Sequence, residues 1–228
     1  MNVLGIDVST SSGSVAILKD EGLIAEQTLN VKKTHSETIL PSIKGILEES
    51  GLDFVDIDFF AVTIGPGSFT GLRVGLSTVK GLGWTLNKPV IGVSTLLALT
   101  CNARDSSLRV CPVMNARKNE VYTALFRVDG AKIVREMNDT VIKPELLIER
   151  LKGEVLFIGD GIKVYRKYLE RYSKGITRFA HQALWNIRAY EVCRLALEAF
   201  RQGEGKRAEE MSIHYIRPSE AELKVLVL

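Results

Sequence analysis

The stretch DFFAVTIGPGSFTGLRVG, residues 58–75, carries three instructions in a row. Asp58–Ile64 is apolar enough for a buried strand, and Gly65-Pro66-Gly67 is a tight turn. A helix follows from about Ser68 to Leu86, ended by Asn87 and Lys88-Pro89. Upstream, Val3–Val8 and Val15–Leu18 read as strands joined by the small-residue turn Ser9–Gly13, and Gly22–Val31 supplies a third strand. Ile39, Leu40, Ile43, Ile46 and Leu47 fall on one face of a helix. Pro41 fits its first turn if Thr38 is the N-cap, whereas a start as early as Ser36 requires a kink. Downstream, Val90–Val93 is a strand, and Ser94 caps a helix through about Asn102.

Beyond the polar connector Ala103–Ser107 the order recurs. Leu108–Met114, Val121–Val128 and about Ile133–Ile142 are successive strands, and Pro144–Lys152 is a helix. Val155–Ile158 is a buried strand ending in Gly159-Asp160-Gly161, and Lys163–Tyr172 is helical. A weak strand near Ile176–Phe179 precedes a long helix, Ala183–Phe200. Each half thus has three strands, then helix, strand, helix, strand, helix, with G-x-G after its fourth strand. Such units make α/β domains with helices on both sides of a five-stranded mixed sheet. Two in tandem, residues 1–104 and 105–228, give the ribonuclease-H-like duplication of actin, sugar kinases and chaperone ATPases. Fold alone does not fix function.

The 228 residues are 46% hydrophobic and 25% charged, which excludes wholesale disorder. A net charge of +3 is too small for a dedicated nucleic-acid coat. Cys101, Cys111 and Cys193 form no C-x-x-C pair and read as reduced thiols of a cytoplasmic protein. Asp7 interrupts the first apolar stretch, so no signal peptide is expected. No apolar run nears the ~18 residues that span a bilayer.

Five segments are candidates for chemistry. Asp7, Ser9 and Thr10 loosely match a metal-positioning acid with a small phosphate-approaching hairpin, but Ser9 stands where a glycine is usual. Their plainer role is a self-bonded polar turn. Gly65 and Gly67 open a turn and helix that could hold an anion, although no Gly-Lys-Ser/Thr follows. Gly71, Gly75, Gly81 and Gly83 cost that helix ~3–4 kcal/mol together. Either close packing on its own sheet or a seam with another subunit recovers this. Two small-residue stripes, beside Leu72, Leu76, Val79 and Leu82, favour the seam. His35 lacks a second histidine four residues on, where Ile39 stands, and reads as a helix-start residue. Between strands, Arg117 and Glu120 either recognise a ligand or pair with each other. Finally, Lys163, Arg166, Lys167, Arg171, Lys174 and Arg178 interleave with Tyr165, Tyr168 and Tyr172. An RNA surface can look so, but such tyrosines usually pack and such charges are usually solvated.

Longer matches then supply a resemblance. Gly5-Ile6-Asp7-Val8-Ser9-Thr10, His35-Ser36-Glu37 through Ile39-Leu40-Pro41, and Gly65 through Gly75 are its first part. Gly92-Val93-Ser94-Thr95-Leu96, Ala116-Arg117 with Glu120-Val121-Tyr122, Gly159-Asp160-Gly161, and Tyr215-Ile216-Arg217-Pro218 with Ala221-Glu222 complete it. The chain resembles the TsaB (YeaZ-type) family of the bacterial machinery that places threonylcarbamoyl on an adenosine beside the tRNA anticodon. The resemblance implies a non-catalytic subunit that activates a TsaD-type catalytic partner, a complex that the small ATPase TsaE joins. It implies pairing through helices of the first half, here Ile39, Ile43, Gly71, Leu72, Gly75, Leu76, Val79 and Leu82, and homodimers when isolated. Asp7, Ser9, Thr10, Gly65 and Gly67 then become degraded phosphate-loop positions. No cofactor of its own is implied, with ATP and a metal on the catalytic partner, tRNA contact only through the complex, and no membrane. Asn115 departs from the aspartate common before Ala-Arg in the family, which puts that acid's role in doubt. The competing reading is a nucleotide-dependent phosphotransferase or ATPase using Asp7 and the 65–71 loop. A metallopeptidase lacks a ligand set.

Overall fold

A computed structural model describes residues 1–29, 34–130, 132–173, 175 and 177–217. Asn30–Val31 of the expected third strand, Lys174, Ile176, Pro218, Ala221 and Glu222 lie outside the described residues.

The repeated layout becomes two five-stranded sheets of one topology. The first holds β1 (Asn2–Asp7), β2 (Gly13–Lys19), β3 (Gly22–Leu29), β4 (Phe59–Gly65) and β5 (Val90–Ser94), in the order β3-β2-β1-β4-β5. The second holds β6 (Arg109–Asn115), β7 (Val121–Asp129), β8 (Lys132–Ile142), β9 (Val155–Ile158) and β10 (Thr177–Phe179), in the order β10-β9-β6-β7-β8. Hairpin-linked strands run antiparallel, and β1, β4 and β5 run parallel to one another, as do β6, β9 and β10.

Side chains alternate across a strand, so each inner strand feeds two cores. Leu4, Ile6, Phe60 and Val62 pack under α1 (His35–Ser50) and α2 (Phe69–Leu86). Val3, Phe59 and Ala61 face the other way, toward α3 (Thr95–Cys101) and α6 (Ala189–Arg201). Val110, Met114, Ala124 and Phe126 of the second sheet join that same cluster, so α3 and α6 lie in a core shared by both halves. Outside the second sheet, α4 (Pro144–Arg150) and α5 (Ile162–Tyr172) cover Cys111, Val113 and Phe157. Each fully buried Leu, Ile or Phe contributes roughly 1.5–3 kcal/mol of transfer free energy.

Two readings need correction. First, α1 starts at His35, with Thr34 as N-cap, and its backbone N–H donates to the Glu37 carboxylate at 2.9 Å. Pro41 is therefore inside the helix, where the carbonyl of Glu37 loses its usual partner. Second, residues 183–188 are not part of the long helix: a short 3₁₀ turn, Gln182–Leu184, precedes α6. Asn102 Nδ2 donates to the carbonyls of Leu184 (3.0 Å) and Asn186 (2.7 Å), and Ser14 Oγ donates to that of Ile187 (2.9 Å). Those carbonyls are held by distant side chains, so they do not continue a helix. The two sheets lie on either side of residue 104, and α6 packs on β1 and β2 of the first. Residues beyond it also return to the first sheet, with Val90 N–H donating to Lys206 O at 2.9 Å and His214 N–H to Ile64 O at 2.8 Å. Among the described residues no helix is long and apolar enough to cross a membrane.

Candidate functional site

Asp7 ends β1 with its side chain enclosed. Its Oδ1 accepts from Ser9 Oγ at 2.6 Å, Thr63 Oγ1 at 2.6 Å and the Ser9 N–H at 3.2 Å. Burial raises its pKa above the ordinary aspartate value, against the lowering effect of the Ser9 and Thr63 hydrogen bonds and of the His35 charge. The hairpin after it bonds to itself: Thr10 Oγ1 donates to Ser12 O at 3.0 Å and accepts from Ser12 N–H at 3.2 Å. At the start of α1, His35 Nε2 lies 2.8 Å from the Thr10 carbonyl. A ring nitrogen that donates there has no lone pair left for a metal. Among the described residues no group of three His, Cys, Asp or Glu side chains is placed to hold a metal ion.

The loop Gly65–Ser68 closes directly on this hairpin. Ser68 N–H donates to the Ser9 carbonyl at 2.7 Å, and Ser68 Oγ caps α2 by accepting from Gly71 N–H at 3.2 Å. A Cβ on Gly67 would lie 2.6 Å from Ser9 O, and one on Gly71 would overlap the carbonyl of Val8. Two of the donors at this helix start, the N–H groups of Ser68 and Gly71, are thus engaged by the chain's own oxygens.

Gly71, Gly75 and Gly83 of α2 follow the first of the two readings, close packing on the chain's own sheet, and not the favoured seam. A Cβ at Gly75 would meet Val8 at 2.8 Å and Val62 at 3.4 Å, and one at Gly83 would meet Val90 at 2.8 Å. These glycines let α2 settle onto its own sheet. Ile39, Ile43, Leu72, Leu76 and Val79 are buried in the same protomer core, and Leu82 is half-buried. Of that stripe only Gly81 is open, with nothing within 4 Å of its would-be Cβ. The exposed side of α1 and α2 carries other residues: Leu40 (45% exposed), Arg73, Ser77, Gly81 and Trp84 (78% exposed). A groove of about 310 Å³ runs between the two helices, lined by Ser36, Leu40, Arg73, Val74 and Ser77 among others.

In the second half, Asn115, Arg117 and Glu120 share the β6–β7 turn, whose Arg117, Lys118 and Asn119 are left-handed (φ 60°, 51° and 59°). Asn115 N–H donates to Asp160 Oδ1 at 3.2 Å, and Arg117 N–H to Asn115 Oδ1 at 2.9 Å. Burial raises the Asp160 pKa. The carboxylate of Glu120 pairs with Arg217 rather than with Arg117, and Arg217 Nη1 also donates to Ala116 O at 3.3 Å. One step earlier, Tyr215 stacks on Phe69 (5.1 Å between centroids), and its hydroxyl accepts from Arg73 Nε at 3.0 Å. Residues 206–217 therefore run from β5 past the start of α2 to the second hairpin. The sequence signal was the Tyr215–Arg217 motif, and nothing in it named these partners.

A family model described as TsaD, tRNA N6-adenosine threonylcarbamoyltransferase, matches residues 22–223. The Bacillus subtilis (strain 168) tRNA threonylcarbamoyladenosine biosynthesis protein TsaB is 30% identical, over 98% of this chain and 97% of its own length. Its Escherichia coli (strain K12) namesake is 38% identical over 71% of this chain and 72% of its own. YeaZ from Pseudomonas aeruginosa superposes with a TM-score of 0.81 at 27% identity, covering 94% of this chain and 99% of that one. A ROK family protein from Streptococcus pneumoniae, at 10% identity and a TM-score of 0.51, shares the fold. With the paired ribonuclease-H-like sheets in place, these likenesses show that the chain belongs to the TsaB (YeaZ-type) family of tRNA threonylcarbamoyladenosine biosynthesis proteins.

Proposed function

We propose that the chain is a non-catalytic subunit that makes a TsaD-type catalytic protein competent for threonylcarbamoyl transfer to tRNA, with a TsaE-type ATPase joining that pair. The observation that carries this reading is the 2.7 Å hydrogen bond from Ser68 N–H to Ser9 O. Of the two loops that would cradle a nucleotide's phosphates in a phosphotransferase of this fold, the first is locked onto the start of α2. Asp7 has its Oδ1 filled by three donors of its own chain. ATP and any metal then belong to the partner.

The face that fits a partner is the exposed side of α1 and α2. Trp84, Leu40 and the bare backbone at Gly81 supply the large apolar anchor and the close approach that interfaces favour. The same face serves a homodimer when the chain is alone. Mixing the protein with a TsaD-type partner in size-exclusion chromatography with light scattering tests this. Trp84→Ala together with Leu40→Asp is expected to leave a folded monomer that no longer pairs. Undiminished pairing rejects this face. Magnesium-dependent ATP hydrolysis by the isolated chain, abolished by Asp7→Ala, rejects the non-catalytic role in favour of a phosphotransferase.

A further inference from the structure

Of the three tyrosines interleaved with the basic run, only Tyr165 packs inward; Tyr168 and Tyr172 are 49% and 43% exposed. Their rings stack on each other with centroids 6.0 Å apart and planes 24° apart. Neither belongs to the apolar cluster that buries Tyr165 and Leu169.

The basic residues also divide into two groups. Arg166 is held by Glu170 at 2.8 Å and lies over Phe179, and Arg178 pairs with Glu154 at 2.6 Å. Lys163, Lys167 and Arg171 have no carboxylate at ion-pair distance among the described residues. They recur every fourth residue, one stripe along α5, beside a second stripe of Val164, Tyr168 and Tyr172. Four basic residues against one acidic give α5 a net +3, as much as the whole chain carries. The positive charge is therefore concentrated on this helix, next to two exposed aromatic rings.

We propose that the outer face of α5 binds RNA directly, with Lys163, Lys167 and Arg171 on successive phosphates and Tyr168 with Tyr172 stacking an unpaired base. The stride between the three cations, ~6 Å along the helix, suits an extended strand. Stacked rings beside cations are the means by which proteins hold unpaired RNA. An anionic lipid surface would call for more aliphatic residues than Val164 alone. The RNA is the tRNA of the modification reaction, so the proposal rests on the function proposed above. It adds a contact made by this chain itself.

Fluorescence anisotropy of the full chain with a labelled, unmodified tRNA transcript tests it without any partner present. Lys167→Glu with Arg171→Glu is expected to weaken binding at least tenfold and to lower the slope of log affinity against log salt by about 2. Tyr168→Ala is expected to weaken it about tenfold, and Tyr168→Phe to retain it. All three positions are exposed, and circular dichroism verifies that each variant folds. Absence of binding overturns the proposal. Equal binding of heparin with no response to Tyr168→Ala also overturns it, by showing a generic polyanion contact. Loss of partner pairing or of phosphatidylglycerol vesicle binding in the charge-reversed variant, with RNA affinity unchanged, reassigns the face to protein or lipid. A negative anisotropy result leaves the α1–α2 pairing test standing, and failure of the pairing test leaves this one standing.

Discussion

The backbone carbonyl of Ser9 accepts the N–H of Ser68 at 2.7 Å, across 59 positions of sequence. That bond joins the β1–β2 hairpin to the first turn of α2. The closeness of the two segments leaves no room for a Cβ at Gly67 or at Gly71. A phosphate between such loops needs free N–H donors, and here that of Ser68 is spent on the hairpin.

The pH dependence of Asp7 follows from its enclosure. Burial raises its folded pKa above the ordinary value near 3.8. The folded state then holds the proton to higher pH than the unfolded chain does. Its contribution to stability is fully present below the unfolded value and lost as pH rises through the folded one. Asp7→Asn keeps an oxygen acceptor for Ser9 and Thr63 and removes the buried charge. Its urea midpoint relative to the parent should therefore be highest at pH 8 and fall toward the parent's by pH 3. A variant less stable than the parent at pH 8 contradicts this account.

Gly71 and Gly81 occupy one helix and should respond oppositely to alanine. At Gly71 the new methyl overlaps the Val8 carbonyl, a backbone atom that cannot rotate away, so a loss of about 2–4 kcal/mol is expected. At Gly81 it meets nothing, so helix propensity alone should add up to ~1 kcal/mol. Equilibrium urea unfolding of the two variants reads both signs.

Glu191 is buried where α6 meets α3, and its Oε2 accepts from Arg104 Nη2 and Arg194 Nε, each at 3.0 Å. Removing it leaves two guanidinium groups near each other without their anion. Glu191→Ala should cost about 3 kcal/mol. A double variant that also replaces Arg104 with Met should recover part of that loss, measured as a coupling in a double-mutant cycle.

The three thiols should be silent in the native protein. Burial raises the pKa of Cys101 to about 11 and of Cys111 to about 12, and pushes Cys193 higher still. An aromatic disulfide reagent at pH 8 should titrate none of them before denaturant is added and all of them afterwards. Rapid native labelling at Cys193, which lies on α6 and packs against Gly5, would show that α6 opens readily.

Much of the fold was legible because it is local. The short apolar run at Val3–Val8, the helical spacing of Ile39, Ile43 and Ile46, and the two G-x-G turns are each set within one or two turns of chain. Repeating that order pointed to two like units, each with a five-stranded mixed sheet, and the strand order came from the structure. Asn87 ends α2 in the left-handed conformation as its identity suggested. Pro41 misled because a cap four residues before Thr38, Thr34 with Glu37, fixes the start of α1 more firmly than one missing hydrogen bond opposes it.

The sequence alone determined that the helix at 69–86 must meet something at close range, since glycine in a helix is costly unless backbone comes near. Only the tertiary structure decided that Val8, Val62 and Val90 are what it meets, and that the exposed side is left to Leu40, Gly81 and Trp84. The same division holds for the tail, whose Tyr215 and Arg217 find Phe69, Arg73 and Glu120. The physical reason is one of range. Periodicity and conformational preference act between neighbours in the chain, so they assign a residue its face. What covers that face is settled by packing among segments tens to more than a hundred positions apart, and a glycine or tyrosine carries no record of its neighbour.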